Sequence, residues 1–207
     1  MKKYCEAFFD GMKIEIMHSV GTKTGAEFME SLDIPSRDGS LGVSQYLAPT
    51  ILKKTIPLVP SDAYCMLTIT MEDLYPGPKW NYVFGWAMYQ ARTGVFSFAR
   101  YLPEGRSRKA PLDAAAEQEL LHDACHVMVH EAGHMFGMTH CTHYECTMNG
   151  FNGAFEQNQM ERYLCPVCLR KLQSVIHFDV KARYQKLLDV CTELGFEERA
   201  TFYKKMV

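Results

Sequence analysis

The residues with the most chemical potential lie in one window, "HVMVHEAGHMFGMTHCTHYECTMNG", residues 126–150, which holds five of the eight histidines and two of the eight cysteines. His130 and His134 stand four residues apart, so on a helix both rings leave the same face, roughly 5–6 Å apart at Cβ. Two imidazoles so placed can bind one zinc ion at about 2.0–2.1 Å. Glu131 is rotated away from that face. It is a poor third ligand but can reach a water at the metal, the position of a general base. Gly137 allows a sharp turn, after which His140 returns as a third nitrogen donor. Three neutral imidazoles leave a fourth coordination position open, which marks a catalytic site more than a structural one. A chance occurrence of this pattern has a probability on the order of 10⁻⁴. Two alternatives remain open: His126 with His130 as the helical pair, and His143 in place of His140. His122 and His126 read as surface groups or as supports of the ligands.

The cysteines divide into two groups. Cys141, Cys146, Cys165 and Cys168 form a C-x4-C…C-x2-C cluster, a spacing that in a reducing compartment points to metal more than to disulfides. Four thiolates make a closed tetrahedral site, and one following His140 directly would anchor that histidine. Cys5, Cys65, Cys125 and Cys191 are scattered through apolar segments and read as buried thiols.

These reactive residues need a scaffold. With 207 residues, 47% hydrophobic and 22% charged, the chain can bury one domain core. The segment 114 to about 136 favours helix, with Asp113 as N-cap and Gly137 as the left-handed stop. Upstream, "KIEIM" (13–17), "AYCMLTITM" (63–71), "YVFGWAMY" (82–89) and "GVFSFARY" (94–101) read as strands. "SLGVSQYLAPTILKKT" from Ser40 reads as a helix flawed at Pro49. Residues 102–113 read as a surface loop, with a flap as the alternative. Downstream, an Asn- and Gly-rich loop (149–159) leads to helices beginning near Pro166, Asp179 and Phe196. The expected architecture is α+β in a single domain: a sheet and helix lobe over 1–137 and a smaller helical lobe over 138–207.

Charge excludes some functions. The formal charge of −2 and pI near 6.4 argue against a polyanion partner, because phosphate backbones need clustered Lys and Arg. "RSRKA" (106–110) reads as a solvated loop, and "LRKLQ" is too short a basic patch for a nucleic-acid-binding zinc module. No apolar run approaches the roughly 18–20 residues of a membrane helix. The first seventeen residues lack the apolar stretch of a secretory signal. The expectation is a soluble, intracellular chain, cytoplasmic in location, with neither nucleic acid nor membrane as partner.

"HEAGHMFGMTH" is the metzincin zinc-protease signature, with Met148 at the expected Met-turn. Together with "HCTHYECTM", "CPVCLRKLQ" and "FGWAMY…GVFSFARY", it makes the chain resemble the archaemetzincins, most strongly from about Asp62 to Ser174. The resemblance implies a metzincin-like fold with a mixed N-terminal sheet and an active-site helix. It also implies two zinc ions: a catalytic one on His130, His134 and His140, and a structural one on Cys141, Cys146, Cys165 and Cys168. Met148 would then form an apolar floor under the metal. The implied activity is hydrolysis of peptide or protein substrates, with an extended peptide paired to an edge strand within 82–101 and Glu131 as general base. A peptide-binding module of little or no activity on the same scaffold is the competing expectation.

Overall fold

The computed structural model describes residues 1–17, 24–102, 111–150 and 161–207. The possible flap and the basic run at 106–110 fall largely or wholly outside these residues, as does most of the loop at 149–159. By internal contacts the chain groups into two compact units, one of residues 1–16 with 117–207 and one of residues 17–116. The lobes drawn from the sequence at residue 137 divide the chain differently, counting the long helix with the sheet. Both helices and small sheets are present, so the fold is α+β, as expected.

In the 17–116 unit, helix α2 (Gly25–Ser31) opens with a reciprocal cap. The Thr24 hydroxyl accepts from Glu27 N at 3.1 Å, and the Glu27 carboxylate accepts from Thr24 N at 3.2 Å, satisfying two donors that a helix start leaves bare. Strands β1 (Ser36–Asp38), β2 (Ser44–Leu47) and β4 (Asp73–Tyr75) form one sheet in the order β1-β2-β4, with the first pair antiparallel and the second parallel. Strands β3 (Met66–Thr70), β5 (Gly85–Met88) and β6 (Thr93–Ser97) form another in the order β3-β6-β5, so among the described residues β3 and β5 lie at its edges.

Three strands were expected at about these places. "KIEIM" is not a strand: residues 12–17 are irregular, and Ile16 and Met17 stay exposed. Alternation alone does not make a strand where no neighbouring strand takes up the hydrogen bonds. The helix expected from Ser40 begins later, as α3 (Ala48–Thr55), with Pro49 in its first turn. There a missing N–H costs nothing, so the proline starts the helix instead of flawing it. The core of this unit gathers Met29, Ile34, Tyr46, Ile51, Leu52, Leu74 and Val95.

The other unit is helical. Helix α1 (Lys2–Phe8) was not foreseen. Helix α4 (Ala114–Met135) is capped by Asp113, whose carboxylate accepts from Ala116 N at 2.9 Å. Helices α5 (Pro166–Ile176), α6 (Val180–Glu193) and α7 (Glu197–Lys204) start where the sequence predicts. Phe9, just past α1, stacks on Phe136 with ring centroids 5.3 Å apart.

Candidate metal centres

Helix α4 ends by sequence logic. Gly137 takes φ +80°, a left-handed conformation that glycine adopts without a Cβ penalty. The chain then doubles back, with Met138 N bonded to Gly133 O at 3.2 Å. This turn brings His140 beside the two helical histidines: ring centroids lie 4.6 Å apart for His130 and His134, 5.4 Å for His130 and His140, and 4.9 Å for His134 and His140. One nitrogen from each ring lies within 4.8 Å of the others. His126 is buried one turn upstream, its ring centroid 6.4 Å from that of His130, and His143 is exposed; neither belongs to the cluster.

The three nitrogens fit a zinc ion. His130 Nδ1 pairs with the Thr147 carbonyl at 2.8 Å, and His134 Nδ1 with the Met138 carbonyl at 2.6 Å. A carbonyl can only accept, so each Nδ1 carries the proton and each Nε2 is a bare lone pair. The two Nε2 atoms face one another at 3.0 Å. Two lone pairs repel unless a cation lies between, and a tetrahedral zinc with bonds of about 2.0–2.1 Å sets its nitrogens roughly 3.3 Å apart. Burial lowers the pKa of His130 to about 3 and also lowers that of His134, holding both in the neutral form that binds metal.

Glu131 follows the first of these histidines and is half-buried. Burial pushes its carboxyl up to about 7. A cation on the histidines would draw that value back down, since an opposite charge favours the carboxylate.

The second donor set is Cys141, Cys146, Cys165 and Cys168, whose sulfurs lie within 4.8 Å of one another and are free of disulfides. Cys141 Sγ and Cys165 Sγ are 3.9 Å apart. That is far beyond a disulfide bond of about 2.05 Å and close to the roughly 3.8 Å edge of a tetrahedral zinc–thiolate site. Backbone N–H groups point at the sulfurs: Met148 N and Cys165 N at Cys146, and Cys168 N at Cys165, all at 3.3–3.4 Å. Burial pushes the Cys146 thiol up to about 11 and raises that of Cys168. Without a cation these two groups stay protonated; a bound cation would expel their protons.

One short loop joins the sets. Asn149 accepts from Cys146 N at 2.7 Å and donates to the carbonyls of Cys141 and Tyr144 at 2.7 and 2.8 Å. Cys141 N closes the loop on Met148 O at 2.8 Å. Met148 is fully buried and presses against α4 at Gly133, where an added Cβ would meet its sulfur at 2.7 Å. An added Cβ on Gly150 would lie 2.7 Å from His140 Nδ1. Sequence reasoning missed Gly133, Asn149 and Gly150. The signal was present: a glycine inside an otherwise strong helix costs about 1 kcal/mol and needs a packing reason.

The model for peptidase family M54 matches residues 62–174 of the chain. Mouse archaemetzincin-2 is 34% identical over 94% of this chain and 60% of its own length, and human archaemetzincin-1 is 33% identical over 88% of this chain and 40% of its own. The chain thus spans about 60% of the length of the archaemetzincin-2 relatives. Among solved structures, the archaemetzincin of Methanopyrus kandleri is similar with a TM-score of 0.51 and 30% identity, covering 65% of this chain and 67% of its own. A zinc-dependent peptidase from Methanocorpusculum labreanum, at 23% identity and a TM-score of 0.51 over 71% of this chain and 90% of its own, shares the fold.

Proposed function

The chain belongs to peptidase family M54, the archaemetzincins, and on that premise we propose that it is a zinc-dependent metallopeptidase acting on peptide or protein substrates. The observation that carries this reading is the convergence of one nitrogen each from His130, His134 and His140, with Glu131 next to the first. His130, His134 and His140 would hold the catalytic zinc ion. Cys141, Cys146, Cys165 and Cys168 would hold a second zinc ion in a structural role.

When bound at the three histidines, zinc supplies Lewis acidity, lowering the pKa of a water towards 7 and polarising a carbonyl. The chain's own residues do the rest. The Thr147 and Met138 carbonyls fix the tautomers of His130 and His134. Glu131 takes the proton of the attacking water and passes it to the leaving amine. Met148 sits beneath as a packed floor; its role is positional.

The test is mass-spectrometric readout of a diverse peptide library with zinc-loaded wild type and with Glu131→Gln, alongside zinc content. Cleavage by wild type alone, with equal zinc in both, supports the mechanism. Equal cleavage by both proteins overturns the role of Glu131. If neither cuts while both retain two zinc ions, the reading as a peptide-binding module of little or no activity takes the lead.

A further inference from the structure

Away from the metal centres, the helical unit buries two arginines without carboxylate partners. Arg183 on α6 and Arg199 on α7 are each 1% exposed. Among the described residues, neither forms a salt bridge. The Arg183 Nε donates to Phe8 O at 2.7 Å, and an Arg199 Nη donates to His122 O at 2.8 Å. Aromatic faces take part of each charge: the Arg183 guanidinium lies 4.6 Å from the Phe8 centroid and 5.2 Å from that of Phe178, and the Arg199 guanidinium 4.8 Å from Phe196 and 5.0 Å from Tyr4.

These contacts leave donors over. Among the described residues, Arg183 Nη2, Arg199 Nε and Nη1, and the hydroxyls of Tyr4 and Tyr203 have no hydrogen-bond partner. Tyr4 is fully buried and Tyr203 is 1% exposed. The two hydroxyls are neighbours without completing a bond of ordinary geometry, and both feel the two guanidiniums. Asp10, which reaches Arg183 only through space, pairs with Lys186 at 2.6 Å, and Asp123 with Arg162 at 3.3 Å, while Glu198 also acts on Arg162. Arg162 is itself buried and within electrostatic reach of Arg199. The region therefore carries an excess of buried positive charge and three guanidinium nitrogens left over, a combination that is costly unless an acceptor is present.

We infer that the junction of α1, α6 and α7 holds one small monovalent anion of the halide class, bound by Arg183, Arg199, Tyr4 and Tyr203. The guanidiniums offer only donors and both hydroxyls can turn a hydrogen inward, which suits a ligand that only accepts. Their near-complete burial suits an ion of atomic size enclosed as the helices pack. A water at the same place could accept from the same donors but would leave the charge uncompensated.

The experiment is thermal unfolding of the zinc-loaded protein in chloride or bromide titrated against gluconate at fixed ionic strength, with bromide-grown crystals measured at the bromine edge. The expected result is a melting temperature rising with the logarithm of halide by roughly 5 °C or more across a hundredfold range, and one anomalous peak between the two arginines. Tyr203→Phe keeps the ring and removes one donor, so its half-saturating halide concentration should rise roughly tenfold. A melting temperature indifferent to halide, or density there that refines only as water, overturns the proposal. A bromide peak with no effect on unfolding is an adventitious ion only, and overturns it too. So does a halide midpoint that Tyr203→Phe leaves unchanged.

Discussion

The ring of His130 and the carbonyl of Thr147 meet at 2.8 Å, and Thr147 stands between Cys146 of the cysteine set and Met148, the residue proposed as a floor under the histidines. Any shift of the cysteine loop therefore reaches a histidine within one hydrogen bond. Loss of such an orienting partner lowers metal affinity by about 10–100-fold. Cys168→Ser, which touches no histidine, should weaken zinc binding at the histidines by at least tenfold in competition with a chromophoric chelator. Zinc folding energies of about 10–16 kcal/mol rival the stability of a domain, so the same variant should also lose helical circular dichroism. Unchanged affinity at the histidines would mean that the two sites are independent.

Gly133 and Met148 give a second prediction. Alanine is the better helix former by about 1 kcal/mol, so Gly133→Ala in an open helix would stabilise. Here the new methyl would meet Met148 Sδ at 2.7 Å and Met138 Cε at 2.8 Å. Both methionines are buried and have little room to move. Overpacking of this kind costs about 1–3 kcal/mol, so the expected net effect in urea unfolding is a loss of stability and a displaced Met148. A gain of stability would show that the floor is not tightly packed.

The grouping of the candidate metal ligands was far more legible in the sequence than the scaffold was. A His-x3-His pair on a helix, a glycine stop and a returning histidine are local relations, and local geometry follows from helix periodicity. The Cys165–Cys168 knuckle is local for the same reason, and α4 to α7 carried caps and turns that could be read directly. Strands β1, β2 and β4 were missed because each is only three or four residues long, too short to show a period. The pairing of β2 with β4 also joins residues far apart along the chain: Tyr46 of β2 pairs with Leu74 of β4. The supports of the metal sites were hidden similarly, since the bond from His130 to Thr147 depends on how the cysteine loop folds back.

His122 provides a test by pH. Burial lowers its pKa below the usual 6.5, against the opposing pull of Asp123. The folded chain disfavours the charged imidazole, while the unfolded chain takes up a proton below about 6.5. Its contribution is thus constant above that pH, and stability falls as pH drops through and below it. In metal-saturated protein, His122→Phe should lose less melting temperature than wild type between pH 7 and 5.5. Parallel curves for the two proteins would remove His122 from the acid response.

Arg100 and Asp73 lock the sheet unit from inside, and their pairing yields the largest stability effect expected outside the metal sites. Asp73 is fully buried at the start of β4. Arg100 grips it with two bonds, Nε at 2.9 Å and Nη2 at 2.7 Å, while Gln45 adds a third at 2.8 Å. The guanidinium also lies 3.6 Å from the Tyr82 ring centroid, tying residues just ahead of β5 to the pair. Exposed ion pairs contribute little, but removing one partner of a buried pair strands the other charge at a cost of about 3–5 kcal/mol. Arg100→Ala should therefore destabilise by about that amount in denaturant unfolding. Removing both charges with Arg100→Met and Asp73→Leu together should cost much less than the sum of the single changes, because no buried charge then remains unpaired. Additive losses in that double-mutant cycle would show that Asp73 finds its compensation elsewhere.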